Sequence, residues 1–261
     1  MTTDVLYSKN MVEWYDELYF PSNQTKKELK FLDKIFKKFG IRKILDIACG
    51  TGRHSIGLKK MGYDVVGVDS SKPMVDYAKN KSEKQNLKIR YYQMDMKNVK
   101  LREKFDAVII MGSFMYLIDN DDVIATLNSI NKLLKLNGLV MIELDFVWKS
   151  IAKGKFKKYV ETVKRNDKKM IIRLQFKVNP LNNTYSEKSM YERFIGKKRL
   201  PIIKGKIPKL RILFPDEFDL FFKLTGFELL EIYGNFGLKA KLSEKNYEKL
   251  IVLGRKVMNV V

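Results

Sequence analysis

Asp46, Gly50, Gly52 and Asp69 are the residues of this chain whose types and spacing most readily suggest chemistry. They lie in one stretch, Lys43 to Asp69, which reads K-I-L-D-I-A-C-G-T-G-R-H-S-I-G-L-K-K-M-G-Y-D-V-V-G-V-D. The two glycines permit positive φ and carry no Cβ, so a ligand could lie against bare backbone. A helix starting behind them would offer unpaired N–H groups to a phosphate or carboxylate. Asp69 lies 17 residues past Gly52. At the end of a second strand, its carboxylate could accept hydrogen bonds from both hydroxyls of a ribose. The chemistry implied is the capture of a nucleoside that carries an anionic group.

Three elements must position these residues. Ile44 to Ile47 is a short apolar run that predicts a buried strand. Arg53 to Met61 predicts a helix stopped by Gly62, and Val65 to Val68 a second strand. Strand, glycine turn, helix and strand closing on a carboxylate form the mononucleotide-binding half of a doubly wound sheet. A dinucleotide fingerprint would need a third glycine, G-x-G-x-x-G, and its place is taken by Ser55. That weakens a nicotinamide or flavin reading.

The stretch resembles instead the first motif of the class I S-adenosylmethionine (SAM) methyltransferases, an acidic residue followed by G-x-G-x-G. Here the motif is Asp46-Ile47-Ala48-Cys49-Gly50-Thr51-Gly52, with Ala48 in place of the first glycine. The resemblance implies a Rossmann-like, seven-stranded, mostly parallel sheet with helices on both faces and a reversed seventh strand. It implies a cofactor shell of Tyr15, Asp46, Ala48, Gly50, Gly52, Arg53, His54, Asp69, Ser70, Met74, Asp95, Met96, Met111 and Gly112. Asp95 would meet the adenine amino group, and the backbone of Met96 the ring. Arg53 and His54 would orient near the cofactor carboxylate. Tyr15-Asp16-x-x-Tyr19 looks like the N-terminal tyrosine segment that folds over the SAM pocket in small-molecule members. The run L-L-K-L-N-G-L-V-M-I-E, residues 133 to 143, resembles the family's approach to its fifth strand.

Patterning predicts the remaining elements. Thr25 to Phe39 has helical spacing and ends at Gly40, and a further helix starts at Pro73. Ile89 to Gln93, Phe105 to Met111 and Leu139 to Leu144 read as strands three to five, with the amphipathic helix Asp121 to Leu136 between the last two. Met170 to Val178 alternates apolar and polar residues, with weaker strands at Lys157 to Lys164 and Tyr185 to Ile195. Gly196 to Lys209, carrying Pro201, Gly205 and Pro208, reads as a loop. Pro215 to Thr225 is a helix, and Phe227 to Tyr233 and Tyr247 to Gly254 are the last strands.

The formal net charge is +21, and it is unevenly placed. Lys149 to Arg211 holds 20 Lys and Arg against four Asp and Glu. Such asymmetry suggests an anionic partner or a solvated lysine-rich surface. The expected organisation is a SAM-binding domain of residues 1–148 and 212–261, with an inserted basic antiparallel β lid of residues 149–211. Tyr116, Asp145, Tyr191 and Arg193 are the candidate catalytic or acceptor-side residues, expected at the pocket rim. One histidine and one cysteine give no persuasive zinc set. No long apolar run or signal peptide is visible, which predicts a cytoplasmic protein.

The expected function is methyl transfer from SAM, leaving S-adenosylhomocysteine, to nitrogen or oxygen of a small-molecule acceptor. The charge of the insertion would suit an anionic acceptor. RNA as the acceptor, or a non-catalytic nucleotide- or RNA-binding module, are the alternatives. Oligomeric state is not legible.

Overall fold

The computed structural model describes residues 5–16, 22–145, 147, 151, 153–154, 157–243 and 247–260. The expected contribution of Tyr19, and the start of the basic block at Lys149, lie outside them.

One sheet has seven strands: β1 (Lys43–Ile47), β2 (Asp64–Asp69), β3 (Arg90–Gln93), β4 (Phe105–Met111), β5 (Leu134–Asp145), β11 (Phe227–Tyr233) and β12 (Lys249–Lys256). Their order is β11-β12-β5-β4-β1-β2-β3. All the pairings run parallel except those of β12, which is antiparallel to both β5 and β11. The expected seven-stranded sheet with one reversed strand is therefore present.

The sheet is apolar on both faces because helices cover both. Leu45, Ile47, Val66, Val68, Val108 and Ile110 pack on one side against α5 (Asn120–Leu133) and α6 (Pro215–Leu224). Ile44, Val65, Ala107 and Ile109 pack on the other against α2 (Ser22–Lys38) and α3 (Arg53–Lys60). Odd and even positions of β1 thus serve opposite cores, as a period of two requires. The predicted helix Asp121 to Leu136 stops earlier than expected. Leu134 is already extended and pairs with Phe105, so β5 begins there, and Asn137 takes a left-handed φ of 64° in the following irregularity.

A second, antiparallel sheet contains β6 (Lys158–Arg165), β7 (Lys168–Asn179), β8 (Thr184–Ile195), β9 (Lys198–Arg199) and β10 (Ile203–Arg211). The loop expected at Gly196 to Lys209 is largely strand. β10 pairs along β8 with one irregularity between Ile207 and Leu210. The turns at Asn166 and Asn183 have φ of 53° and 49°, values Asn tolerates better than most residues. The inner face of this sheet meets the N-terminal segment. Met170, Ile172, Leu174 and Tyr191 enclose Met11 and Trp14, the latter in the one-turn helix α1 (Val12–Trp14).

Candidate active site

The strand order reverses between β1 and β4, so their carboxyl ends leave a crevice at the sheet edge. β1 leads into the glycine turn there. Ala48, Gly50 and Gly52 take φ of 55°, 54° and 74°. An L-residue with a side chain in that region carries roughly 1–2 kcal/mol of strain. This explains why a glycine stands at the position of Ala48 in the resembled motif. The turn is closed by Gly52 N–H donating to Cys49 O at 2.9 Å.

The two glycines do different work. A Cβ built on Gly50 meets nothing within 4 Å, so the backbone there faces open space. A Cβ on Gly52 would lie 2.6 Å from the Tyr91 hydroxyl and 3.1 Å from Ala78 Cβ. Gly50 is the cradle, and Gly52 is where α4 (Lys72–Glu83) and β3 press on the turn.

Asp69 ties this turn to the end of β2. Its Oδ2 accepts from Gly50 N–H and its Oδ1 from Ser71 N–H, both at 2.8 Å. Burial pushes its carboxyl up, and those two N–H groups oppose the shift. Each oxygen keeps a second lone pair for a ligand hydroxyl. Asp46 lies deeper, 1% exposed, and burial raises it to about 7 even though Ser55 Oγ donates to it at 2.5 Å.

Arg53 and His54 share a partner that sequence reasoning missed. Both contact Glu28 of α2, the imidazole Nε2 at 2.8 Å from Glu28 Oε2 and the guanidinium against the same oxygen. Arg53 also donates to Thr25 Oγ1 at 3.3 Å. Burial would raise Glu28, but the hydrogen bond from His54 and the charge of Arg53 hold it down to about 2. Burial and the Arg53 charge push His54 down to about 4. His54 is therefore neutral at pH 7, donates through Nε2, and positions Arg53 through their common carboxylate.

A pH dependence follows. His54 has a folded pKa below the ordinary 6.5. Its contribution to stability is thus complete above that value and is lost as pH falls towards about 4, because the unfolded chain binds the proton first. The chain has one histidine, so its imidazole NMR resonance is unambiguous. It is expected to titrate near pH 4, and a midpoint near 6.5 would contradict the burial of the imidazole beside Arg53.

The remaining expected cofactor residues fall around the same edge. Ser70 follows β2, and its carbonyl accepts from Gln93 Nε2 at 3.1 Å. Met74 is buried, and its N–H is capped by Ser71 Oγ at 3.4 Å. Asp95 is exposed beyond β3 and caps its own turn through Lys97 N–H at 2.9 Å, while Met96 packs on the core. Met111 is buried at the end of β4, and Gly112 follows with φ of 76°.

Beneath Gly112 lies a second missed group. Glu143 Oε2 is the one atom within 4 Å of a Cβ built on Gly112, at 3.7 Å. Lys249 Nζ reaches Glu143 Oε1 at 2.8 Å and Asp145 Oδ1 at 2.5 Å. Burial raises the Glu143 carboxyl. Burial would lower the Lys249 ammonium, but Glu143 and Asp145 hold it up. A signal for Glu143 was available, since it is the acid near the end of the apolar run of β5.

The N-terminal segment crosses this edge. Tyr7 O accepts from Ser71 Oγ at 2.9 Å, and the hydroxyls of Tyr7 and Tyr116 are 3.0 Å apart. Tyr7 meets the rings of Tyr15 and Tyr116 edge-on, at 6.0 and 6.3 Å. Asp16 pairs with Lys81 of α4 at 2.5 Å. Tyr116 thus lies against the N-terminal segment at this edge, and Asp145 is exposed at the same edge beside Lys249.

Tyr191 and Arg193 do not stand at a pocket rim. Tyr191 is fully buried against Met11, Trp14 and Met170. Arg193 is 7% exposed, donates to Asn10 O at 2.9 Å and Pro201 O at 3.2 Å, and lies over the Trp14 ring. They fasten the second sheet to the N-terminal segment. No cluster of three or more metal-ligating side chains occurs among the described residues, and no helix there is long and apolar enough to cross a membrane.

Comparison with known proteins agrees with this geometry. Residues 44–138 match the family model described as a methyltransferase domain. A protein of Geobacillus sp. (strain WCH70) named as a methyltransferase is 34% identical over 140 residues, 52% of this chain and 56% of the relative. The glycine/sarcosine N-methyltransferase of Aphanothece halophytica is also 34% identical over 140 residues, 52% of this chain and 53% of its own. The matched stretch thus spans about half the length of these relatives. The crystal structure of an S-adenosylmethionine-dependent methyltransferase from Clostridium acetobutylicum ATCC 824 superposes with a TM-score of 0.80. It is 20% identical, with 95% of this chain and 98% of that one covered.

Proposed function

We propose that this chain is a class I S-adenosylmethionine-dependent methyltransferase and that it methylates nitrogen or oxygen of a small-molecule acceptor. The observation that carries the reading is the tyrosine segment. Tyr7, Tyr15 and Tyr116 meet over the carboxyl edge that holds Asp69 and the glycine turn. A site roofed in this way suits a small acceptor and excludes water. The glycine and sarcosine named for the Aphanothece halophytica relative are acceptors of that size.

The residues fit the cofactor. The open face of Gly50 leaves room for it, Asp69 has lone pairs for its ribose, and Arg53 stands at the start of α3 to meet its carboxylate. Asp95 and Met96 lie beyond β3, where the adenine edge would be held. Bound SAM supplies an activated sulfonium methyl, and transfer leaves S-adenosylhomocysteine. The work of the chain is then to align the acceptor in line with that methyl and keep the site dry. Tyr116, hydrogen-bonded to Tyr7, is the acceptor-side hydroxyl, and Asp145, held by Lys249, is the carboxylate available at the same edge.

The test is transfer of label from methyl-tritiated SAM to a panel of small amines, amino sugars and phenols, with total RNA run in parallel. The reading predicts label in a small molecule, lowered by Tyr116→Phe. Label in RNA alone would overturn it in favour of an RNA acceptor.

A further inference from the structure

The basic block was expected to draw an anionic acceptor toward the pocket, but the strand register turns most of its charge the other way. Met170, Ile172 and Leu174 of β7 are buried, so the side chains opposite Gln175 and Arg173 share the outer face. Lys158, Gln175, Lys188 and Lys206 stand in one cross-strand row there. The neighbouring row holds Val160, Arg173, Met190 and Lys204. Lys158, Lys188, Lys204 and Lys206 are exposed. Glu192 is the acid on this face among the described strand residues, and it is bridged to Arg173 and Arg199 at 3.1 and 2.6 Å.

Lys188 directly opposite Lys206 is a like-charge pair, which destabilises a sheet. That repulsion is relieved by an anion laid across the pair. Lys188 stands about 4.8 Å from Lys206 across the strands and Lys204 about 6.8 Å from Lys206 along β10, spacings suited to a flexible chain of phosphates. At the β6–β7 end a groove of about 480 Å³ opens at the sheet edge, lined by Lys157, Lys158, Gln175 and Lys177 together with Ile151, Phe176 and Val178, the last three belonging to the inner-face cluster. Repulsion disfavours a second copy of this chain on the same face.

We propose that the outer face of the second sheet docks single-stranded nucleic acid by its phosphates. This surface faces away from the methyl-transfer site, and its occupation is independent of which acceptor is methylated. The experiment is fluorescence anisotropy with a labelled 30-nucleotide oligouridylate, on the full chain, across 50–300 mM salt. With four to six phosphates neutralised, log Kd should rise against log salt with a slope of about 3 to 4. Lys188→Glu with Lys204→Glu and Lys206→Glu should weaken binding about tenfold or more at low salt. The same three positions changed to Gln guard against misfolding. They should weaken binding less, with SAM affinity and thermal midpoint preserved. Lys26→Glu with Lys27→Glu and Lys30→Glu, an equal charge change on α2, should leave binding within about twofold.

No binding at 50 mM salt would overturn the proposal. So would equal loss in the α2 control, which would mean diffuse attraction by net charge. Tighter binding to phosphatidylserine vesicles than to the oligonucleotide would do the same and assign the face to a membrane surface.

Discussion

Asp69→Asn is expected to weaken SAM binding by about 1–3 kcal/mol, roughly 5- to 150-fold, while the protein stays folded. Two losses combine in that figure. The carboxylate is the acceptor offered to the ribose, and an amide presents a donor in place of one of its oxygens. Its Oδ2 also fixes Gly50 N–H at 2.8 Å, so the cradle itself loosens. Titration calorimetry on the variant checks this. An affinity equal to wild type would show that the cofactor lies elsewhere. Asp95→Asn is the contrast, since Asp95 is exposed and spends its carboxylate on its own turn. Its effect should be the smaller of the two.

The second large effect separates the two glycines. Gly52→Ala is expected to destabilise the fold by about 2–4 kcal/mol, from the left-handed φ together with the clash against Tyr91. Adding Tyr91→Phe removes the atom at 2.6 Å and should restore about 1 kcal/mol of that loss. Gly50→Ala carries only the backbone strain, about 1–2 kcal/mol, because its Cβ meets open space. Its cost appears in the ligand instead, as about a tenfold or greater loss of SAM affinity. Denaturant unfolding and calorimetry together read the two effects. Equal unfolding losses for both alanines would contradict the division between cradle and packing.

The sheet that carries the site was legible because buried parallel strands read as continuous apolar runs, and β1, β2 and β4 lie close to where those runs predict them. The glycine turn was legible for a related reason. Only residues tolerant of positive φ fit it, and Ala48 is the one that pays in strain. The rest depends on contacts distant in sequence. β10 looks like a loop because Gly205 and Pro208 interrupt its pattern, and it becomes a strand because β8 lies beside it. Tyr191 and Arg193 looked available for an acceptor until the pairing of β8 with β7 turned both onto the buried face. Glu28 sits in a helix whose first turns read as solvated. Nothing local shows that Arg53 and His54, 25 and 26 residues on, close against it. Charge was legible in amount but not in direction, because which side of a strand a lysine takes follows from register.

The same division bears on function. Residues proposed to hold the cofactor lie at the glycine turn and strand ends, where local backbone geometry already marks them in the sequence. Residues that would select the acceptor come from Tyr7, Tyr116 and the far end of β5, which are joined only by the fold.

The most direct measurement is calorimetry of the purified protein with SAM, S-adenosylhomocysteine and NAD in separate titrations. Saturable one-to-one binding of the first two, with no heat of binding from NAD, is the predicted result. Binding of NAD with none of SAM or its product would contradict the assignment of the Asp46-to-Asp69 turn to a methyl-donor cofactor.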